Sequence, residues 1–166
     1  MREKCWKIYW RDFSNQTYMY GSRVIFHSKR DVEFNNLLIP PGTVIKTWKS
    51  MANYQSMRVE PTLPIIDGER SYRVRLHIDE DAEDGVLLRF RFFQKNGVEE
   101  GIYILRGLEG EFRCPIRTYY YDIELIESGA HSFHFHYITL EEIDEGAEGL
   151  RDEKKKIVSK RNKKNP

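Results

Sequence analysis

The sequence predicts an all-β fold, an antiparallel β-sandwich of the jelly-roll kind, with a flexible basic C-terminal tail. Three observations carry this. Several short segments alternate apolar and polar residues with the period of two that belongs to half-buried strands. Gly, Pro, Asn and Ser turn signals separate these segments at close intervals. Aromatic residues make up 13% of the chain, a composition that fits pleated sheets better than helices.

Taken in order, Trp6–Trp10, Met19–Phe26, Phe34–Leu38, Val44–Trp48 and Gln55–Val59 are strand candidates in the less regular first half. Pro40-Pro41-Gly42 and Pro61-Thr62-Leu63-Pro64 mark turns or extended edges, since proline cannot donate to a sheet ladder. The strongest alternation runs from Ser71 to Ile78, where Tyr72, Val74, Leu76 and Ile78 share one face. Val86–Phe93 follows, with Leu88, Phe90 and Phe92 against Arg89 and Arg91, and the acidic segment 79–85 between the two reads as a hairpin connection.

Asn96-Gly97 is a strong turn signal, because both residues tolerate positive φ. Gly101–Leu105, Gly110–Pro115 and Thr118–Ile126 complete the middle of the chain. In the last of these, Tyr119, Tyr121, Ile123 and Leu125 oppose Tyr120, Asp122 and Glu124. Ser128-Gly129 turns the chain into Phe133–Leu140, whose inward set shifts from Phe133, Phe135 and Tyr137 to Ile138 and Leu140. That shift predicts a β-bulge or a strand whose second face becomes buried. About ten short strands with no helical pattern before residue 141 argue for a sandwich over any α/β fold.

The domain division is therefore a sandwich over 1–143 and a charged, disordered tail over 144–166. Residues 151–166 hold eight basic and two acidic residues, a local +6 against a chain total of +1, which leaves residues 1–150 at −5. An acidic body makes nucleic acid an unexpected partner, and the tail has few apolar residues to add selectivity. No stretch reaches the roughly 18 apolar residues of a membrane span. The N-terminus lacks the pattern of a signal peptide, so the expectation is a cytosolic protein with Cys5 and Cys114 as idle or buried thiols.

Of the residues that could carry chemistry, His134 and His136 stand out. They share a strand face, and Glu141 lies five residues further on, a spacing similar to the first metal motif of cupins. The second cupin motif is missing, so His134 and His136 remain lesser metal candidates and no cofactor is expected. No Ser stands in a nucleophile elbow, neither Cys has an activating neighbour in sequence, and no phosphate loop is present. The chain is read as a binding protein and not an enzyme. Its aromatics, Trp48, Tyr54, Tyr103 and Tyr119 to Tyr121, are too many for every ring to be buried. An exposed ring can stack on a sugar or anchor a protein interface, and Trp48, Tyr54 and Tyr120 are the candidate binding residues.

Several features together resemble the family of smallest accessory secretory proteins in the accessory Sec system of Gram-positive cocci. They are Ile8-Tyr9-Trp10, Tyr20-Gly21-Ser22, the stretch from Pro41-Gly42 to Trp48 with Ser50 and Tyr54, and Pro61-Thr62-Leu63-Pro64. The strands around Tyr72 and Phe90 and the closing Leu125–Leu140 hairpin also fit, so the resemblance covers roughly residues 6 to 143. It implies a sandwich similar to carbohydrate-binding modules and a cytosolic adaptor without catalysis of its own. The implied partners are two larger accessory secretory proteins, one like a glycosyltransferase and one like an α/β-hydrolase. Serine-rich-repeat glycoprotein adhesins are the implied export cargo. The motor ATPase and the membrane would be reached only through the complex. The alternatives are a carbohydrate-binding module that reads glycans directly and a cupin-like metalloprotein.

Overall fold

The structure is a computed structural model that describes residues 4–10, 17–50 and 63–143. Ten strands form two antiparallel sheets: β1 (Cys5–Ile8), β2 (Arg23–Ser28), β3 (Asp31–Asn35), β4 (Val44–Lys49), β5 (Ser71–Ile78), β6 (Val86–Phe93), β7 (Glu99–Leu105), β8 (Glu109–Arg113), β9 (Tyr120–Glu127) and β10 (Ser132–Ile143). One sheet has six strands in the order β2-β3-β10-β5-β8, with β1 also paired to β10; the other has the order β4-β9-β6-β7. Among the described strands, sequential neighbours pair in β2–β3 and β6–β7 and not elsewhere. All the other connections cross between the sheets or span the undescribed gaps, giving the double-sheet wrapping of a jelly roll.

The expected hairpin between β5 and β6 is not formed, and neither is the closing hairpin between β9 and β10. In each case the two strands lie in different sheets, and the connection is an arch over the edge of the core. The 79–85 arch contains a short 3-10 turn and buries Ala82. Gly85 receives hydrogen bonds from Ser128 N (2.9 Å) and Ala130 N (3.0 Å), so the two arches brace one another. A Cβ on Gly85 would collide with Ala130, and glycine there allows the close approach. Alternation fixes which residues face the core but not which strand lies alongside, so an arch and a hairpin share one sequence pattern.

The boundaries differ in instructive ways. Residues 19–22 form a turn, so β2 starts only at Arg23; a second turn at Lys29-Arg30 makes the hairpin to β3, which ends at Asn35 and not at Leu38. Gln55–Val59 lies outside the described residues. Asn96-Gly97 does turn β6 into β7, with Gly97 at φ +86°. The expected bulge in β10 falls between Phe135 and Tyr137. Before it β10 pairs with β3, and after it with β1, so one extra residue lets a single long strand serve two neighbours.

The core is aromatic, in keeping with the composition. Trp10, Phe34, Trp48 and Phe135 pack at one end, with ring centroids 5.4 to 6.2 Å apart. Phe90, Phe92 and Phe112 pack at the other, beside Tyr72 and Tyr121. Polar tips reach partners from within: Tyr121 Oη donates to Pro64 O at 2.6 Å, and Trp48 Nε1 donates to Tyr9 O at 2.9 Å. Lys46, buried beneath Trp10 and Trp48, has its ammonium pKa pushed down to about 8 by desolvation.

Candidate interaction face

On the outer face of the four-stranded sheet, register brings unlike side chains into one ordered array. Lys49 stands opposite Asp122, Asp122 opposite Arg91, and Arg91 opposite Ile102. One step along, Thr47, Glu124, Arg89 and Ile104 form the next row. Arg89 Nε donates to Glu124 Oε1 at 2.8 Å, Arg91 reaches the same oxygen at 3.9 Å, and Lys49 approaches Asp122 at 3.6 Å. Arg91 also grips Glu99 with two bonds of 3.0 and 3.3 Å.

Alternation predicts wet positions for Asp122 and Glu124, yet they are only 8% and 7% exposed. They sit on a central strand, and the long side chains of β4 and β6 fold over them. Burial raises the Asp122 pKa, and the Lys49 ammonium works against that rise. The signal was present in the sequence as Arg89 and Arg91 against Asp122 and Glu124, but only the β6–β9 register shows them to be cross-strand pairs.

An aromatic rim closes one end of this face. Phe93 and Tyr120 are register partners whose rings stack at 4.8 Å and 11°, and the Arg91 guanidinium lies over Phe93 at 5.2 Å. Tyr119 is exposed next to them, with Lys95 over its ring at 5.8 Å. The flank is β7, which among the described strands is an edge paired with β6, and its Ile102 and Ile104 point outward and are exposed. The array offers a fixed pattern of charge, two stacked rings and an exposed apolar edge.

The three candidate binding residues separate. Tyr120 is on this face. Trp48 is 2% exposed and packed against Phe135 and Trp10, so its ring is a core element and not a surface platform. Bulk and an indole N–H that finds a carbonyl explain the burial. Tyr54 lies outside the described residues. Alternation did not single out Phe93, Ile102 and Ile104: Phe93 is set beside Tyr120 by the β6–β9 register, and the two isoleucines are exposed because β7 lies at the sheet edge.

His27, His134 and His136 lie elsewhere, on the outer face of the six-stranded sheet. His134 Nδ1 meets Asp31 Oδ1 at 2.7 Å, His27 meets Glu33 at 2.8 Å, and His136 Nδ1 meets Arg30 O at 2.8 Å. Asp31 raises the His134 pKa and is itself held below the usual carboxylate range by that bond. Glu141 pairs with Arg73 further down the strand, so it does not join His134 and His136. No group of three or more potential ligands that could hold a metal ion occurs among the described residues. Cys5 is exposed and Cys114 buried, both as free thiols; burial pushes the Cys114 pKa up.

Two antiparallel sheets wrapped as a jelly roll, one with a patterned outer face, define the class, a β-sandwich protein. The comparisons with known proteins give the family. The model described as Accessory Sec secretory system ASP3 matches residues 17–142, and the chain belongs to that family. A curated relative from Streptococcus gordonii, an accessory Sec system protein, is 37% identical over 133 residues, covering 80% of this chain and 84% of the relative. A structure of accessory secretory proteins 1, 2 and 3 from Streptococcus pneumoniae aligns with a TM-score of 0.77 and 31% identity, covering 82% of this chain and 95% of that one. A Glycosylation Associate Protein complex from Streptococcus agalactiae aligns with a TM-score of 0.79 and 35% identity; it covers 85% of this chain, which spans 45% of the chain it matches. No helix among the described residues is long and apolar enough to cross a membrane.

Proposed function

We propose that this chain is a non-catalytic, cytosolic adaptor that joins two larger accessory secretory proteins, one glycosyltransferase-like and one α/β-hydrolase-like, in a complex that assists export of serine-rich-repeat glycoprotein adhesins. The observation that carries the reading is the outer face of the four-stranded sheet. Its charges are already paired to one another, so they present a fixed pattern to a protein surface without stranding an ion on contact. Tyr120, Phe93, Ile102 and Ile104 supply the apolar part of that contact. The multi-protein complexes in which the related chains were solved support the same reading.

The test is reconstitution of the full chain with the two larger accessory secretory proteins from the same organism. A stable complex at micromolar concentration is expected, weakened by Tyr120→Ala combined with Ile102→Asp. Absence of any complex with the unaltered chain overturns the proposal. The stacked Phe93 and Tyr120 rings also suit a sugar platform, and calorimetric titration with glycans examines that second reading. The pairing of Asp122 with Lys49 and of Glu124 with Arg89 weighs against it, since those oxygens have less capacity left for a sugar's hydroxyls.

A further inference from the structure

At the end of the sandwich where β2 begins and β3 ends, two loops place Met19, Tyr20, Leu37 and Leu38 side by side, each between 57% and 92% exposed. Single exposed apolar residues need no explanation, but four large ones on two adjoining loops do. The loops are tied by Asn36, a buried polar residue. Its Nδ2 donates to Tyr20 O at 2.8 Å and to Ser22 Oγ at 2.9 Å, and its Oδ1 accepts from Leu38 N at 3.2 Å. Ser22 Oγ in turn donates to Tyr18 O at 2.6 Å, and Gly21 takes φ +73° to close the turn. The apolar tips therefore stand on a hydrogen-bonded platform fixed before any partner arrives.

The composition of the two loops says what they meet. Residues 17–22 and 35–44 contain no Asp, Glu, Lys or Arg, although 32% of the chain is charged. At that density sixteen residues would carry about five charges. Apolar loops that enter a lipid surface are ringed by Lys and Arg, which meet the anionic headgroups. Here Arg23 borders the tip opposite Asn35, but the neighbouring arch is acidic: Asp81, Glu83 and Asp84 are exposed on it. It is joined to the tip through the 128–131 segment, where Ser128 N donates to Gly85 O and His131 O accepts from Asn36 N. Charge depletion with Tyr and Met at the centre is the signature of a protein interface core.

We infer that Met19, Tyr20, Leu37 and Leu38 form a pre-organised anchor that docks into an uncharged apolar recess on one of the larger accessory secretory proteins, flanked by basic residues facing Asp81, Glu83 and Asp84. The inference rests on the adaptor reading and adds a second surface to it, distinct from the sheet face around Tyr120. An adaptor that joins two partners needs two such surfaces. Locking the loops through Asn36 removes ordering cost from the binding step.

The experiment uses the full chain and each larger protein separately, with Tyr20→Ser combined with Leu38→Asp as the variant. Both positions are at the surface, so an unchanged melting curve is expected. The inference expects affinity for one of the two partners to fall about 30-fold or more, as for loss of a central anchor, while the other partner binds as before. Asn36→Ala, which loosens the loops without removing an anchor, is expected to weaken the same partner alone. Unaltered affinity of the double variant for both partners overturns this inference and leaves the adaptor reading standing; failure of the unaltered chain to bind either partner overturns both. Flotation with phosphatidylglycerol–phosphatidylcholine vesicles and sedimentation of the chain alone complete the test. Loss of vesicle binding, or of self-association, with partner affinity intact also overturns it.

Discussion

The outer faces of the two sheets carry the same kinds of side chain and put them in opposite situations. On the six-stranded sheet, Arg73 pairs with Glu111 at 2.9 Å and Arg75 with Glu109 at 3.3 Å, and the Glu111 side chain is 58% exposed. On the four-stranded sheet, Arg89 pairs with Glu124 at 2.8 Å, and the Glu124 side chain is 9% exposed. Distance alone does not tell these pairs apart. Position does: Glu109 and Glu111 lie on β8, an edge strand, whereas Glu124 lies on β9 with β4 and β6 on either side. A carboxylate on an edge keeps its water, and one on a central strand loses it to its neighbours.

The largest consequence is energetic. Removing Arg89 leaves the desolvated Glu124 carboxylate partly stranded, so Arg89→Ala is expected to cost about 2–3 kcal/mol. Arg73→Ala, which leaves Glu111 in water it already touches, is expected to cost under about 1 kcal/mol. Double-mutant cycles for Arg89 with Glu124 and for Arg73 with Glu111, read by denaturant unfolding, put the contrast on one scale. Equal coupling energies in the two cycles would remove the distinction between the faces.

That distinction marks the limit of what the sequence discloses. Alternation correctly set Tyr121, Ile123 and Leu125 inward and Asp122 and Glu124 outward, because side-chain period is a local property of a strand. It treated outward as wet, because neighbour identity is not local. The same gap turned two arches into expected hairpins, 79–85 and 128–131, and left Trp48 among the candidate surface rings. The bulge after Phe135 and the Asn96-Gly97 turn were legible, since both are written in consecutive residues. Of the candidate face, the sequence pointed to Tyr120; Phe93 needed the β6–β9 register to stand beside it, and Ile102 and Ile104 needed the strand order that puts β7 at the edge.

Acid titration is expected to show the two faces with opposite sign. Asp122 has its pKa raised above 3.8, chiefly by burial. The native state therefore holds that proton more tightly than the unfolded chain does, and this group's contribution declines as pH rises from below 3.8 through its folded pKa. Asp31 has its pKa lowered by its bond from His134, whose own pKa is raised above 6.5. Their pair contributes fully between 3.8 and 6.5, and the contribution is lost as pH falls through the Asp31 value or rises through the His134 value. Melting curves from pH 3 to 8 are expected to move Asp122→Asn up relative to the unaltered chain as pH rises through the window above 3.8. Asp31→Asn is expected to lose most near the middle of its range. Parallel pH profiles for the two variants would contradict both assignments.

Salt provides the finest discrimination. At 1 M ionic strength the Debye length is about 3 Å, so charges that face water are screened almost at contact. The Arg73–Glu111 coupling, expected to be about 0.5 kcal/mol at low salt, should then fall to near zero. Mobile ions have less access to Glu124, which lies beneath Arg89 and Arg91, so more than half of its coupling should survive. The Arg89 and Arg91 side chains are themselves about one-third exposed, which is why a partial loss is expected and not complete immunity. Repeating the two cycles at 0.1 M and 1 M salt reads this directly. If both couplings vanish together, the outer face of the four-stranded sheet is as open as the other and cannot present a fixed charge pattern to a partner. A surviving coupling means that the pattern is set before contact, by the β6–β9 register that brought Arg89 opposite Glu124 and Arg91 opposite Asp122.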